Sequence, residues 1–282
     1  MTAPLVEIEN LRVTFGSDDG SVNEAVRGVS FSLGREKLGI VGESGSGKSL
    51  TGRSLLGVLP GYARMRADRM SFDGIDLTTA SARLRRSLRG GRMGMILQDP
   101  KYSLNPVMSV GKQIVEAIRI GDRKLSRTAA RTKAISALEA VQIREPERVF
   151  DLYPHELSGG MGQRVMIAMM VVREPDLLIA DEPTSALDVT VRTQVMSILD
   201  ELVTRRGMGL IFISHDLTLV SRFCDRVIVM YAGQIVETLD AKRLSEATHP
   251  YTRGLLACQP EINGSLEPLP VLEREASWRE AV

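Results

Sequence analysis

The chain has 282 residues, of which 43% are hydrophobic and 4% aromatic, with a formal net charge of +1. That apolar share is ample for a packed core; the near-neutral total gives no sign of a nucleic-acid-binding tail, and the scarcity of aromatic residues weighs against a base-stacking surface. Cys224 and Cys258 lack the spacing of a disulfide framework or zinc site, the N-terminus lacks the basic start and apolar block of a secretory leader, and the longest apolar run, Val165 to Val172, falls well short of the ~18 residues a membrane span needs.

In chain order, Leu5 to Phe15 and Ala25 to Leu33 alternate apolar and polar residues and predict two strands, separated by a turn at Gly16 to Ser21. Phe15 closes the first strand, where its ring serves either as core or as a platform for a flat ligand. The apolar run Leu38 to Val41 predicts a buried strand, followed by Gly42-Glu43-Ser44-Gly45-Ser46-Gly47-Lys48-Ser49 and then by apolar residues at helical spacing from Leu50 to Val58. Strand, G-x-x-x-x-G-K-[ST] and helix together make a phosphate-binding loop: the glycines let successive N–H groups surround an anion, and Lys48 reaches its outer oxygens. Ser49 offers a hydroxyl to Mg²⁺. A short strand from Met70 to Phe72 leads to an Asp73-Gly74 turn, Ser81 to Arg89 is a basic amphipathic helix, and Met93 to Leu97 is a buried strand closing on Gln98.

From Lys101 to about Glu156 strand signals give way to helices. Ser109 is placed to cap one with Val110, Ile114 and Ile118 on one face, and Ser126 another with Ala134, Leu138 and Val141 inward. Leu157-Ser158-Gly159-Gly160 precedes the all-apolar helical run Val165 to Val172; alone such a sequence is more often a loop than a site. Leu177 to Ala180 then predicts a buried strand delivering Asp181 and Glu182 at its C-terminal end, the edge at which open α/β sheets bind ligands. Beside a phosphate loop, Asp181 is placed to hold Mg²⁺ and Glu182 to polarise water, the alternative being two solvated acids. Asp188 caps a helix along Val191, Val195, Ile198 and Leu202 that stops at Arg205-Arg206-Gly207. Leu210 to Ile213 ends in His215 at the strand edge, whereas His155 and His249 lack such company and receive no chemistry. Arg226 to Tyr231 and Gln234 to Leu239 form a hairpin through Ala232-Gly233.

The ordered set of phosphate loop, Gln98, Leu157 to Gly160, Leu177 to Glu182, Ser185 to Asp188 and His215 resembles the ATP-binding subunit of an ABC transporter over Leu5 to Glu246. Met161-Gly162-Gln163-Arg164 and His249-Pro250-Tyr251-Thr252-Arg253 resemble the peptide and nickel importer branch. The resemblance implies an α/β P-loop NTPase: a RecA-like core, an antiparallel β subdomain and a helical subdomain at about 101–165, all within an ABC ATPase domain at 1–246, with a tail at 247–282. It implies ATP and Mg²⁺ as cofactors, bound through Phe15, Gly42 to Ser49 and Leu50 on one subunit, and through Ser158, Gly159, Gly160 and Asp188 toward a second subunit lying head to tail. Ser49, Gln98 and Asp181 are the implied metal residues, and Glu182, His215 and Gln98 the catalytic ones. Implied partners are a second ABC ATPase, two permease subunits and an extracytoplasmic binding protein, at the cytoplasmic face of a bacterial inner membrane, with no nucleic acid. Many peptide-importing relatives carry a cysteine-rich extension that holds an iron–sulfur cluster; the tail from Gln259 to Val282 has no cysteine, so no cluster is expected, and nickel import stands beside peptide import. Ribosome- or DNA-associated ABC ATPases are the alternative class. They usually double the cassette or insert a long coiled coil, and neither is present in this sequence.

Overall fold

The computed structural model describes residues 3–16, 21–185, 187–258 and 278. The expected turn at 17–20 and the purpose of the tail at 259–277 and 279–282 lie outside the described residues. The chain divides into two compact units, Met1–Ala80 with Ile211–Val282, and Ser81–Leu210.

The first unit opens with β1 (Val6–Gly16) and β2 (Val22–Leu33), antiparallel, followed by β3 (Lys37–Val41), α1 (Lys48–Leu56), β4 (Ala63–Arg66), β5 (Arg69–Phe72) and β6 (Ile75–Asp76). One sheet runs β2-β1-β5-β6 with β4 also paired to β1. Its inner face is the alternating set Val6, Ile8, Leu11, Val13, Val26, Val29, Leu33, Met70 and Phe72, all buried. Within β1 the alternation breaks once, since Ile8 and Leu11 both point inward although three positions separate them. A bulge restores it: Asn10 sits at φ 51° and the register with β2 shifts between Ile8 and Leu11. β4, with only four residues, is a short strand that sequence pattern did not single out.

The second unit holds α2 (Ala82–Leu88), β7 (Met93–Ile96), α3 (Val110–Gly121), α4 (Arg127–Ala140), α5 (Pro146–Asp151), α6 (Gly159–Val171), β8 (Leu177–Asp181) and α7 (Val189–Arg206). Ser81, Ser126 and Asp188 cap their helices, accepting from Leu84, Ala129 and Val191 amides respectively. Ser109 stands at the cap position of α3 without capping by its side chain; the Val110 amide instead donates to the Leu152 carbonyl at 2.8 Å. The apolar helix is longer than its apolar run, because it starts directly after Ser158, whose hydroxyl accepts from the Met161 amide at 3.3 Å. β7 and β8 are parallel, with Ile96 opposite Ala180, and every residue of β8 is buried. α7 stops at Gly207, at φ 58°.

β9 (Gly209–Ile213) returns the chain to the first unit, followed by α8 (Leu217–Phe223), β10 (Arg226–Tyr231), β11 (Gln234–Asp240) and α9 (Pro250–Ala257). β10 lies parallel to β3 and antiparallel to β11. β3 and β10 are nearly continuous apolar runs because both of their faces are covered. Among the described residues no helix is long and apolar enough to cross a membrane.

Candidate nucleotide site

In the first unit, β3 delivers the chain to the loop from Gly42 to Gly47 and α1 begins at Lys48. Two glycines make this path possible. Gly42 has φ 148° and a Cβ there would lie 2.1 Å from the Met230 carbonyl oxygen, while Gly47 caps α1 at φ 96° with a Cβ 2.8 Å from the Ala25 oxygen. Lys48 is 6% exposed, and its ammonium donates to the Gly42 and Glu43 carbonyls, both at 2.7 Å. A buried cation at a helix N-terminus, held by the loop it closes, is a pre-set receptor for negative charge. Ser46 is buried, Ser49 and Leu50 are half-buried on the first turn of α1, and Ser44 and Gly45 are exposed.

Phe15 is half-buried at the end of β1, opposite Ala63 of β4, with its ring 5.7 Å from that of Tyr62 and tilted 53° to it. Tyr62 is 73% exposed, so the two rings form an open aromatic corner. His215 is exposed; the neighbouring Ser214 amide donates to the Ile40 carbonyl at 3.1 Å, so His215 leaves the sheet at the edge where β3 enters the phosphate loop. Pattern reasoning missed one residue that holds this loop. The Glu43 amide donates to the Tyr251 hydroxyl at 3.0 Å, and Tyr251 is fully buried in α9. Its signal was present in His249 to Arg253, read only as a family mark. His249 itself caps α9, its Nδ1 accepting from the Tyr251 amide at 3.2 Å.

In the second unit, the β7–β8 register sends Gln98 and Asp181-Glu182 off the same edge of the sheet. Asp181 is 4% exposed, and Gln98 is exposed. Glu182 stands at φ 49°, a left-handed backbone uncommon for a residue with a side chain; its carbonyl accepts from the Ser185 amide at 3.3 Å and the Ser185 hydroxyl at 3.2 Å. Ser158 and Gly159 lie at the surface of this unit, and Gly160 packs on α7, where a Cβ would come within 2.5 Å of Val191. Gln98, Ser158, Gly159 and Leu187 line one cavity of about 230 Å³. Asp188 caps its own helix through one carboxylate oxygen, Oδ1, which accepts from the Val191 amide at 3.0 Å. A second residue absent from the expected site joins these parts: Gln163, 1% exposed, donates from Nε2 to the Pro183 carbonyl at 2.6 Å, tying the Ser-Gly-Gly helix to the turn after Glu182.

Comparison with known proteins gives the same assignment. The ABC transporter family model matches residues 26–185. The chain is 47% identical over 273 residues to a putative peptide import ATP-binding protein of Brucella abortus (strain 2308), covering 96% of this chain and 82% of that one. It is 46% identical to the dipeptide transport ATP-binding protein DppD of Escherichia coli (strain K12), covering 94% and 81%, and 46% identical to the oligopeptide transport ATP-binding protein OppD of Bacillus subtilis (strain 168), covering 93% and 74%. Among solved structures it superposes on a dimeric ATP-binding cassette in a post-hydrolysis state bound to ADP and Pi, at TM-score 0.74 and 24% identity over 84% of this chain and 98% of that one. It superposes also on cbiO1 from Clostridium perfringens, part of the ABC transporter complex cbiONQ, at TM-score 0.72 and 28% identity over 87% and 92%. With a family model that spans more than half of its length and relatives at nearly half identity over almost all of it, this chain, folded as an ABC ATPase, belongs to the ATP-binding proteins of the ABC transporter family.

Proposed function

We propose that this chain is the ATP-hydrolysing subunit of a peptide importer. The observation that carries the reading is the buried Lys48 ammonium at the mouth of α1, set in a loop whose glycines alone permit its path. The names of the relatives, which are peptide, dipeptide and oligopeptide transport proteins, favour peptide over nickel as cargo.

In this reading the N–H groups of Gly45 to Ser49 and the Lys48 ammonium receive the β- and γ-phosphates of ATP, and adenine stacks in the aromatic corner at Phe15. The residues suit Mg²⁺: among the described residues no group of three His, Cys, Asp or Glu forms a metal cage, and Mg²⁺ asks for none, binding through one or two protein oxygens and the phosphates themselves. Asp181, with Ser49 and Gln98, would hold it, and when bound it neutralises charge on the transferring phosphoryl group. Glu182 polarises the attacking water and His215 holds the γ-phosphate. The left-handed backbone at Glu182 costs about 1–3 kcal/mol, and strain of this kind is retained where a side chain must be aimed. Ser158, Gly159, Gly160 and Asp188 complete the site of a second ATPase subunit, which the surface position of Ser158 and Gly159 supports.

Two permease subunits and an extracytoplasmic binding protein complete the proposed importer, with this chain at the cytoplasmic face. A groove of about 810 Å³ lined by Pro106, Val107, Leu152 and Tyr153 together with Arg148, Asp151, His155 and Glu156, with Val107 79% exposed, offers the second unit a mixed apolar and charged surface on which to meet a permease. The test is enzymatic. Glu182→Gln is expected to bind ATP normally while hydrolysis falls by about two to three orders of magnitude, and Lys48→Ala to lose nucleotide binding. Full turnover in the first variant, or unchanged affinity in the second, would remove that residue from its role; recovery of the chain with integral membrane proteins tests the transport assignment.

A further inference from the structure

The first unit holds another cavity, of about 350 Å³, that shares no lining residue with the phosphate loop. It is lined by Arg12, Arg27, Ser30, Gln234, His249 and Trp278, among others, and among the described residues no carboxylate lines it. Its polar groups are mostly donors without acceptors. The Trp278 Nε1–H is buried with no hydrogen-bond partner. The Arg27 guanidinium makes no ion pair with a described residue. The His249 Nδ1 accepts from the Tyr251 amide, which leaves the proton of a neutral ring on Nε2. Ser30 accepts from the Asn10 amide at 2.8 Å, so its hydroxyl proton is not used there.

The register of the sheet sharpens this. Arg12 lies directly opposite Arg27 on one side and Arg66 on the other, an arrangement that is destabilising unless negative charge intervenes. Glu24 answers Arg12 alone, at 2.8 Å. A buried donor left unsatisfied and a guanidinium left unpaired in one concavity are together the recognition chemistry of an oxyanion. We propose that this cavity binds a small oxyanion, phosphate or carboxylate, through Arg27, Ser30, Gln234, His249 and Trp278, and that its occupancy is felt at the phosphate loop through Tyr251. The connection is short: the Trp278 ring centroid is 6.0 Å from that of Tyr251 and 5.9 Å from that of Tyr231, and the Tyr251 hydroxyl takes the Glu43 amide.

Trp278 is the sole tryptophan of the chain, so its emission reports the site directly. Full-length protein is titrated with inorganic phosphate and, separately, with acetate, each replacing chloride at constant ionic strength. The expected result is a saturable change in emission with at least one of them. Phosphate alone identifies a phosphoryl ligand, acetate alone a carboxylate, and both a site that reads only the oxyanion. Arg27→Gln and, independently, Gln234→Ala are expected to weaken the response, the former about tenfold, with basal ATP hydrolysis unchanged. Lys48→Ala is expected to leave it intact, since the phosphate loop is not its source. Absence of any response, a full response in both cavity variants, or its loss in Lys48→Ala overturns the site. The saturating anion is further expected to shift ATP affinity by about fivefold, and an unshifted affinity overturns the link through Tyr251. Ordinary ATP binding and hydrolysis throughout would keep the ATPase reading standing whichever way the anion experiment falls.

Discussion

Tyr251 and Lys48 act on the same short loop with opposite polarity. Lys48 donates to the Gly42 and Glu43 carbonyls, and the Tyr251 hydroxyl accepts the Glu43 amide, so the first turn of the loop is fixed through both its oxygens and its N–H. Removing the hydroxyl frees the amide while the ring keeps its packing. Tyr251→Phe is therefore expected to fold normally and to weaken ATP binding about three- to tenfold, the yield of one ordinary hydrogen bond, as read by calorimetric titration. Unchanged affinity would leave the contact a purely structural one. The turn that presents Tyr251 depends on Glu237. Burial pulls that carboxyl upward, but the Thr252 hydroxyl beside it and the donors of Thr248 and His249 outweigh burial and hold it below its ordinary value. Because its folded value is lowered, its contribution is complete above the unfolded carboxyl's value and is lost as pH falls through the folded one. The thermal midpoints of the parent and Glu237→Gln are accordingly expected to differ most near pH 7 and to converge below about pH 4. A difference that stays constant with pH would assign the effect to shape and not charge.

Helix α3 shows how an element is tuned by one neighbour. Gly111 faces the ring of Phe150 on α5, and a Cβ at Gly111 would lie 2.2 Å from it. Gly111→Ala is expected to cost about 1–3 kcal/mol as the ring is driven off its rotamer, lowering the midpoint by about 2–4 °C per kcal/mol; an unmoved midpoint would mean that the two helices separate freely. Sequence pattern saw α3 through Val110, Ile114 and Ile118, and it saw α4, α7, β3, β8 and the β10–β11 hairpin equally well, because each sustains its period between clear start and stop signals. It missed β4, α8 and α9, each eight residues or fewer, where the period is too brief to register and tertiary packing decides. The phosphate loop was legible because its backbone path demands glycine at fixed positions. Tyr251 and Gln163 were not, since each reaches its partner, Glu43 or Pro183, across a long separation in sequence that only the fold closes.

At the scale of the whole molecule, the placement of Ser158 is informative. Its hydroxyl caps its own helix and the residue lies at the surface, so in the proposed reading the first amides of α6 would meet an anion carried by another subunit. If ATP bridges two subunits there, a second chain binds only while the γ-phosphate persists, and association becomes linked to nucleotide by mass action. Glu182→Gln, which retains ATP, is thus expected to elute at twice the mass of one chain in the presence of ATP and at the single-chain mass with ADP. Adding Ser158→Glu places a carboxylate where the phosphate must sit, and like-charge repulsion is expected to abolish the ATP-dependent dimer without altering the first subunit's own hold through Lys48. The two measurements separate the possibilities. A single-chain mass with ATP in Glu182→Gln would mean that a copy of this chain is not the second subunit. A dimer that survives Ser158→Glu would mean that association uses another surface.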